Sequence, residues 1–170
     1  MRSLPLTAVV ILVAVSAQGS VAAAPAPADP YAALALYDGH WRVTAGAGGK
    51  VVDLVNHCAR TGLFYACEQV VGGKPVALVV FIPKGESAGG QAYRTQALDA
   101  EGAVSHPWYD MTIKGDDWTY AHDGVRDGKP LHERTLNHFT GAGHIHFDVQ
   151  SSPDGVVWTS QMSGDEERAQ

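Results

Sequence analysis

Two histidines are spaced so that they could share a metal ion. His144 and His146 are separated by one residue, and side chains at positions i and i+2 of a β-strand lie on the same face. His138, His132 or Asp148 could supply a third ligand to zinc, which binds imidazole and carboxylate groups. The polar and apolar residues alternate in this segment, which favours a solvent-facing row with the apolar residues turned inward. We therefore expect no bound metal; a polar lining of an internal cavity is a further alternative.

Two glycine-rich segments of the sequence lack the context that a phosphate-binding loop or a catalytic nucleophile needs. Residues 46–50 are rich in glycine, but a valine follows them where a phosphate-binding loop has Ser or Thr. Residues 85–89 match the letters Gly-x-Ser-x-Gly, but they lie in a predicted loop that no helix follows, so they do not form the nucleophile elbow of a serine hydrolase. The acidic residues at 116–117 and 123–128 lack the ligand spacing of a calcium loop and are predicted to be hairpin turns. We expect no cofactor and favour a protein that is not an enzyme; metal-assisted or acid–base catalysis by the histidine pair is the alternative.

Five aromatic residues fall on three consecutive predicted strands in the centre of the chain. Rings arranged in this way can line a cavity for an apolar or aromatic ligand. The alternative is that they fill the core of the protein. The five residues are Tyr93, Trp108, Tyr109, Trp118 and Tyr120.

The N-terminal residues have the pattern of a secretory signal peptide. Arg2 precedes an uncharged apolar run at residues 4–17, and small residues suited to cleavage after Ala22 or Ala24 follow. The run is about 14 residues long, shorter than the roughly 20 residues that cross a bilayer, so a membrane anchor is not expected. The sequence therefore predicts a signal peptide at residues 1–24 and a periplasmic or secreted protein.

The charge balance excludes several classes of partner. The 170 residues include 12 Lys and Arg against 18 Asp and Glu, a formal net charge of −6. This charge repels phosphate backbones and anionic membrane surfaces, and the basic residues are scattered. We therefore expect neither a nucleic-acid partner nor a membrane span, and a small molecule is the partner class that we retain. The hydrophobic fraction of 45% is sufficient for one packed core.

Two cysteines are placed so that they can form a disulfide within a β-hairpin. Strand-like segments flank the Gly-Leu dipeptide at 62–63, and glycine at the first position of a two-residue loop is typical of a type II′ turn. Such a turn pairs Thr61 with Phe64. Three steps outward it pairs Cys58 with Cys67 at a non-hydrogen-bonded position, where side chains approach most closely. An oxidising compartment favours the disulfide; two free buried thiols are the alternative.

The remaining sequence consists of strand-like segments separated by turn residues. Asp29 and Pro30 provide an N-cap and a first-turn proline for a helix that continues to Tyr37. About ten strands follow at a spacing of about 8–12 residues, which is typical of an antiparallel sandwich or barrel. The apolar run at 76–82 is expected to be buried on both faces or to lie at a barrel seam. The predicted strands cover residues 40–45, 51–57, 64–71, 76–82, 93–98, 108–113, 118–122, 131–139, 144–150 and 156–162.

The order of these elements resembles the lipocalin/calycin superfamily. The residues Gly39-His40-Trp41 follow the helix, and this order is similar to the start of such domains. A late hairpin at 152–158 and the terminal Arg168 are similar to their end, and the chain looks most like small exported bacterial lipocalin-like proteins. The resemblance implies that Trp41 packs at the closed end of a barrel beneath a basic residue, either Arg168 or Arg134.

We therefore expect an all-β, lipocalin-like antiparallel barrel of about 8–10 strands with a short N-terminal helix. It would cover residues 30–163, after a leader at 25–29 and before a charged tail at 164–170 that is expected to fray. The resemblance implies a non-enzymatic protein that holds a small, partly apolar molecule inside the barrel. A completely filled barrel that serves as a structural or interaction module is the alternative.

Overall fold

Ten antiparallel strands close into one barrel in the computed structural model of the chain, which describes residues 29–46, 49–87, 90–104 and 108–169. Each strand pairs with its neighbours in sequence, and the first strand pairs with the last. The strands are β1 Gly39–Ala45, β2 Lys50–Thr61, β3 Phe64–Val71, β4 Lys74–Ser87, β5 Gly90–Asp99, β6 Tyr109–Lys114, β7 Asp117–Arg126, β8 Lys129–Thr140, β9 His144–Ser152 and β10 Thr159–Arg168.

The predicted all-β antiparallel barrel with a short N-terminal helix is confirmed. Because the sheet closes on itself, its strands have no free edge to pair with other chains. The signal peptide and residues 25–28 of the leader lie outside the described residues. Within the described ranges, no helix is long and apolar enough to cross a membrane.

The N-terminal helix is a 3₁₀ helix at Ala32–Tyr37 that covers one end of the barrel. Just before it, the Tyr31 backbone N–H donates to Asp29 Oδ1 at 3.0 Å. Leu34, on this helix, is fully buried. Asp38 has an extended backbone, which ends the helix and leads the chain into β1. We call the end of the barrel that this helix covers the closed end.

The closed end is organised around Trp41 and Arg168. The guanidinium of Arg168 lies 4.4 Å from the centre of the Trp41 ring. Its nitrogens donate to the backbone carbonyls of Leu36 at 2.6 Å, Asp38 at 2.7 Å and Ala142 at 2.9 Å. These contacts join the helix, the β8–β9 turn and the last strand.

Glycine is required at position 39 by the same arrangement. Its φ of +124° is strained for any residue with a side chain, and a Cβ there would lie 2.5 Å from Arg168 Nη1. Of the two basic residues considered from the sequence, Arg168 therefore lies over Trp41. Arg134 instead lies 3.9 Å from the ring centre of Trp158.

Aromatic rings fill the barrel next to the helix. Trp118 and Phe139 have ring centres 4.3 Å apart, and Tyr37 packs edge-on against Trp118 at 4.9 Å. Tyr31 stacks on Tyr65 at 5.5 Å. These rings bury large apolar areas, so they provide most of the core at this end.

The β2–β3 hairpin has the register that the sequence predicts. Thr61 pairs with Phe64, and Cys58 pairs with Cys67. The two cysteines form a disulfide, with Cα atoms 4.0 Å apart, the close spacing of a non-hydrogen-bonded pair. Gly62 has φ of +59°, as the first position of a type II′ turn requires.

The prediction that residues 76–82 are buried on both faces is wrong. Phe81 is 3% exposed, but Val76 and Leu78 are 41% and 38% exposed. β4 pairs with β3 and β5 in a single-layered barrel wall. Alternate residues of such a strand point into the barrel and out to solvent, whatever their hydrophobicity.

The position of the last strand also differs from the prediction. Residues 156–157 lie in an exposed turn, and β10 begins only at Thr159. Residues 164–168 do not fray but form the second half of β10, paired with both β1 and β9. The high charge of this segment predicts a solvated tail, but its backbone pairs with β1 on one side and β9 on the other, and this pairing closes the barrel.

Loss of the disulfide is expected to lower the free energy of unfolding by about 2–3 kcal/mol, because the bond restricts the unfolded chain. The double variant Cys58→Ala/Cys67→Ala can be compared with the parent by urea unfolding. The reduced parent serves as the control and should lose a similar amount. Two reactive thiols per chain in the unfolded, unreduced parent would contradict the disulfide.

Replacement of Trp41 by alanine is expected to cost about 3–5 kcal/mol, because a fully buried ring leaves a cavity. Trp108→Ala is a matched control, since Trp108 is 45% exposed, and its cost should be within about 0.5 kcal/mol. Thermal and urea unfolding measure both variants. Equal stability of the two would place Trp41 outside the supporting core.

Candidate functional site

A cavity of about 550 Å³ occupies the half of the barrel that lies away from the helix. Its volume is within the range of small-molecule sites, about 300–1,000 Å³. The cavity communicates with solvent, so this part of the barrel is hollow and the filled-barrel alternative does not describe it. The lining residues are Tyr37, Leu54, Asn56, Cys67, Gln69, Val79, Phe81, Thr95, Ala97, Tyr109, Tyr120, Thr135, Asn137, Phe147, Val149, Met162 and Glu166.

The five aromatic residues proposed from the sequence as ligand-lining fall into three places. Tyr109 and Tyr120 line the cavity. Tyr93 and Trp118 are buried in the closed-end core, each 1% exposed, and do not line the cavity. Trp108 is 45% exposed just before β6. Strand alternation predicts which side chains point into the barrel. It does not predict where along the barrel axis the packed core ends and the cavity begins.

A hydrogen-bonded group of three side chains lies where the cavity meets the closed end. The Tyr120 hydroxyl donates to the Tyr37 hydroxyl at 2.9 Å. The Asn137 Nδ2 donates to the same oxygen at 2.5 Å. Burial raises the pKa of both tyrosines, so both are neutral near pH 7. Tyr37 joins the two halves of the barrel, because its ring packs on Trp118 in the core.

Glu166 is the one carboxyl group among the described residues that line the cavity. It lies on β10, opposite Val43 of β1 and Ile145 of β9. In the described part of the chain, its carboxyl group makes neither an ion pair nor a hydrogen bond to another side chain. Burial raises its pKa to about 7 from 4.5, because removal from water disfavours the charged form.

Glu166 is not among the site residues predicted from the sequence. It stands in the charged run near the C-terminus, between the acidic residues Asp165 and Glu167. Strand alternation could have singled it out, because residues 164–168 on a strand place every second side chain inside the barrel. The expectation of a frayed tail removed that argument.

Two amide groups add unmet hydrogen-bonding capacity to this region. Asn56 and Asn137 are 3% and 7% exposed, and both line the cavity. The Oδ1 atom of each has no partner. An unpaired buried polar atom costs about 1–3 kcal/mol. The protein therefore carries acceptors around the cavity that its own described donors leave unsatisfied.

The histidine pair lies outside the barrel and away from the cavity. His144 Nε2 and His146 Nδ1 are 3.2 Å and 2.9 Å from the same oxygen of Asp165. The hydrogen bond from His146 lowers the pKa of this carboxyl group. Ile145 and Phe147 point inward and are buried, so the predicted alternation along β9 is confirmed.

The other candidates for a third metal ligand are engaged elsewhere or lie apart. His138 contacts Asp117 at 2.7 Å, and His132 contacts Asp123 at 2.6 Å. Asp148 accepts hydrogen bonds from Ser160 and Gln150. Within the described ranges, no group of three His, Cys, Asp or Glu side chains is arranged to hold a metal ion.

The acidic turn at 153–155 has a structural role. The Asp154 carboxylate accepts hydrogen bonds from the backbone N–H groups of Val157 at 2.9 Å and Val156 at 2.8 Å. These bonds, with one from Ser152, lower the pKa of Asp154 to about 2. The turn is thereby fixed between β9 and β10.

Comparison with known proteins gives no further assignment: no protein-family model matches the chain, and no curated protein matches its sequence significantly. The candidate site is therefore defined by its geometry. It is a cavity whose described lining combines apolar residues with one carboxyl group, three tyrosines, three side-chain amides and two threonines.

Substitution of Glu166 by glutamine is expected to remove a pH-dependent loss of stability. An acid with a raised pKa in the folded state destabilises that state as pH rises from about 4.5 to about 7, and the loss persists above pH 7. The variant should therefore gain stability relative to the parent between pH 4 and pH 8, by up to about 3 kcal/mol.

Urea unfolding at pH 4, 5.5 and 8 measures this difference. Glu167→Gln is the matched control for the loss of one carboxyl group, because Glu167 is exposed on the outside of the same strand. A difference between Glu166→Gln and parent that stays constant with pH would show that Glu166 titrates as a solvated side chain.

Proposed function

We propose that this chain is an exported, lipocalin-like carrier that binds a small, partly apolar molecule in the barrel cavity and releases it unchanged. The observation that carries the proposal is the 550 Å³ cavity above a closed, packed end. A barrel that had only a structural role would be most stable if its interior were filled, because empty space forfeits packing contacts.

The closed end supports the lipocalin-like part of the proposal. The resemblance implies a tryptophan on the first strand beneath a late basic residue, and Trp41 and Arg168 occupy those places with 4.4 Å between guanidinium and ring. The barrel order, with each strand next to its sequence neighbour, agrees with this interpretation. Export is supported by the predicted signal peptide and by the Cys58–Cys67 disulfide.

The cavity lining favours binding over catalysis. Histidine, lysine, arginine and serine are absent from the described residues that line it. Glu166, whose pKa burial raises to about 7, is the one group in the described lining that exchanges a proton near neutral pH. The hydroxyls of Tyr37 and Tyr120 stay neutral, so this carboxyl group has no second acid–base group beside it. The histidine pair that would support an enzyme lies on the outer face with Asp165, so it cannot act on a molecule inside the barrel.

A neutral apolar dye should bind the folded protein at one molecule per chain. N-phenyl-1-naphthylamine is a suitable probe, because its fluorescence rises in an apolar environment. Val149→Trp should weaken its binding by at least about tenfold, because the larger ring occupies the cavity that Val149 lines.

Val125→Trp is the matched control, since Val125 is 72% exposed and outside the cavity. It should bind the dye as the parent does, and circular dichroism should show that both variants remain folded. Equal dye binding by Val149→Trp and Val125→Trp would place the dye outside the barrel and contradict the proposed function.

A further inference from the structure

Three acceptor groups on the cavity wall lack a donor. The Oδ1 atoms of Asn56 and Asn137 are unpaired, and the carboxyl group of Glu166 has no side-chain partner in the described part of the chain. The Tyr120 hydroxyl and the Asn137 amide both donate to the Tyr37 oxygen. These two donors are thus used within the protein, and Tyr37 is left with its single O–H. A ligand that donates hydrogen bonds would satisfy the unpaired acceptors.

The charge of the cavity lining favours a cationic ligand over an anionic one. The described lining residues include Glu166 but no Lys, Arg or His, so a carboxylate or phosphate ligand would meet an acid and no cation. The nearest basic group along β10 is Arg168, and its three nitrogens donate to backbone carbonyls. The net charge of the whole chain is −6, which also favours the approach of cations.

We infer that the carried molecule has an apolar body and one protonated amine, and that the amine forms an ion pair with the Glu166 carboxylate inside the cavity. This inference rests on the proposed carrier function. The apolar body would lie against Leu54, Val79, Phe147 and Val149, which line the same cavity.

The ion pair explains how a buried carboxyl group can become useful to binding. A carboxylate removed from water is costly when unpaired, and an opposite charge at hydrogen-bond distance offsets that cost. Without ligand, burial keeps the pKa of Glu166 at about 7. When an ammonium group binds, the carboxyl group gives its proton to the buffer and the ligand keeps its own. The charge of Glu166 acts on Tyr37 and Tyr120, whose hydroxyl groups are neutral and neither take up nor release this proton.

Three matched probes separate this inference from general apolar binding. 4-Phenylbutylamine, 4-phenylbutan-1-ol and 5-phenylpentanoate share a 4-phenylbutyl body and differ in the terminal group. Isothermal titration calorimetry at pH 8 measures each with the full mature chain. The parent should bind the amine at least about tenfold more tightly than the alcohol, since hydrogen bonds to charged groups are the stronger class, and the carboxylate most weakly.

Glu166→Gln should bind the amine and the alcohol within about threefold of each other, because the neutral amide cannot form the ion pair. Glu167→Gln, which alters the exposed neighbour, should keep the preference of the parent. A second measurement uses proton release. At pH 6, titrations in buffers of different ionisation enthalpy should show close to one proton released per bound amine in the parent and none in Glu166→Gln.

The outcomes distinguish the inference from the proposed function. If the alcohol binds as tightly as the amine, or the carboxylate binds best, the carrier function stands and the amine inference is overturned. The inference is also overturned if Glu166→Gln keeps the amine preference, or if no proton is released at pH 6. If none of the three probes binds while N-phenyl-1-naphthylamine still binds in the cavity, the carrier function stands and the amine inference is overturned. If the dye does not bind either, both fall.

Discussion

The guanidinium group of Arg168 is the contact on which the closed end of this barrel depends. It covers the Trp41 ring and donates to the carbonyls of Leu36, Asp38 and Ala142. The last strand is thereby fixed to the N-terminal helix and to the β8–β9 turn, which are far apart in sequence. Without these donors, three carbonyl groups at the closed end would lose their partners. Gly39 belongs to the same arrangement, because a side chain there would collide with the guanidinium.

A fixed closed end allows the other half of the barrel to remain hollow. The aromatic core packs against the helix, and the strand pairing continues beyond it as a wall that needs no filling to persist. Tyr37 lies at the boundary: its ring packs on Trp118 and Phe139, and its hydroxyl belongs to the polar end of the cavity. Stability and binding therefore share a residue, and the packing that holds its ring also positions its hydroxyl.

The sequence predicts those features that depend on one turn or one strand. The Cys58–Cys67 pairing follows from a two-residue loop, and the inward residues of β9 follow from alternation, so both could be predicted. Features that depend on contacts between distant segments were missed, apart from the contact of Trp41 with a late basic residue, which the resemblance implied. Trp118 and Tyr120 lie on the same face of β7, and only the packing of the N-terminal helix against Trp118 shows that the first belongs to the core and the second to the cavity. The strand character of residues 164–168 is set by pairing with β1 and β9, which the charge of the segment obscures.

The same pairing determines the role of each acid on β10. Asp165 and its outward neighbours face solvent, where two histidines lie beside the carboxylate. Glu166 and Arg168 face inward, two positions apart, yet the three nitrogens of Arg168 donate to backbone carbonyls rather than to Glu166. Glu166 therefore does not stabilise the fold, because a buried carboxyl group without a partner destabilises the folded state. The described residues that line the barrel include no cation that could pair with Glu166. A positively charged group that enters the cavity with a ligand would offset the cost of burying this carboxylate.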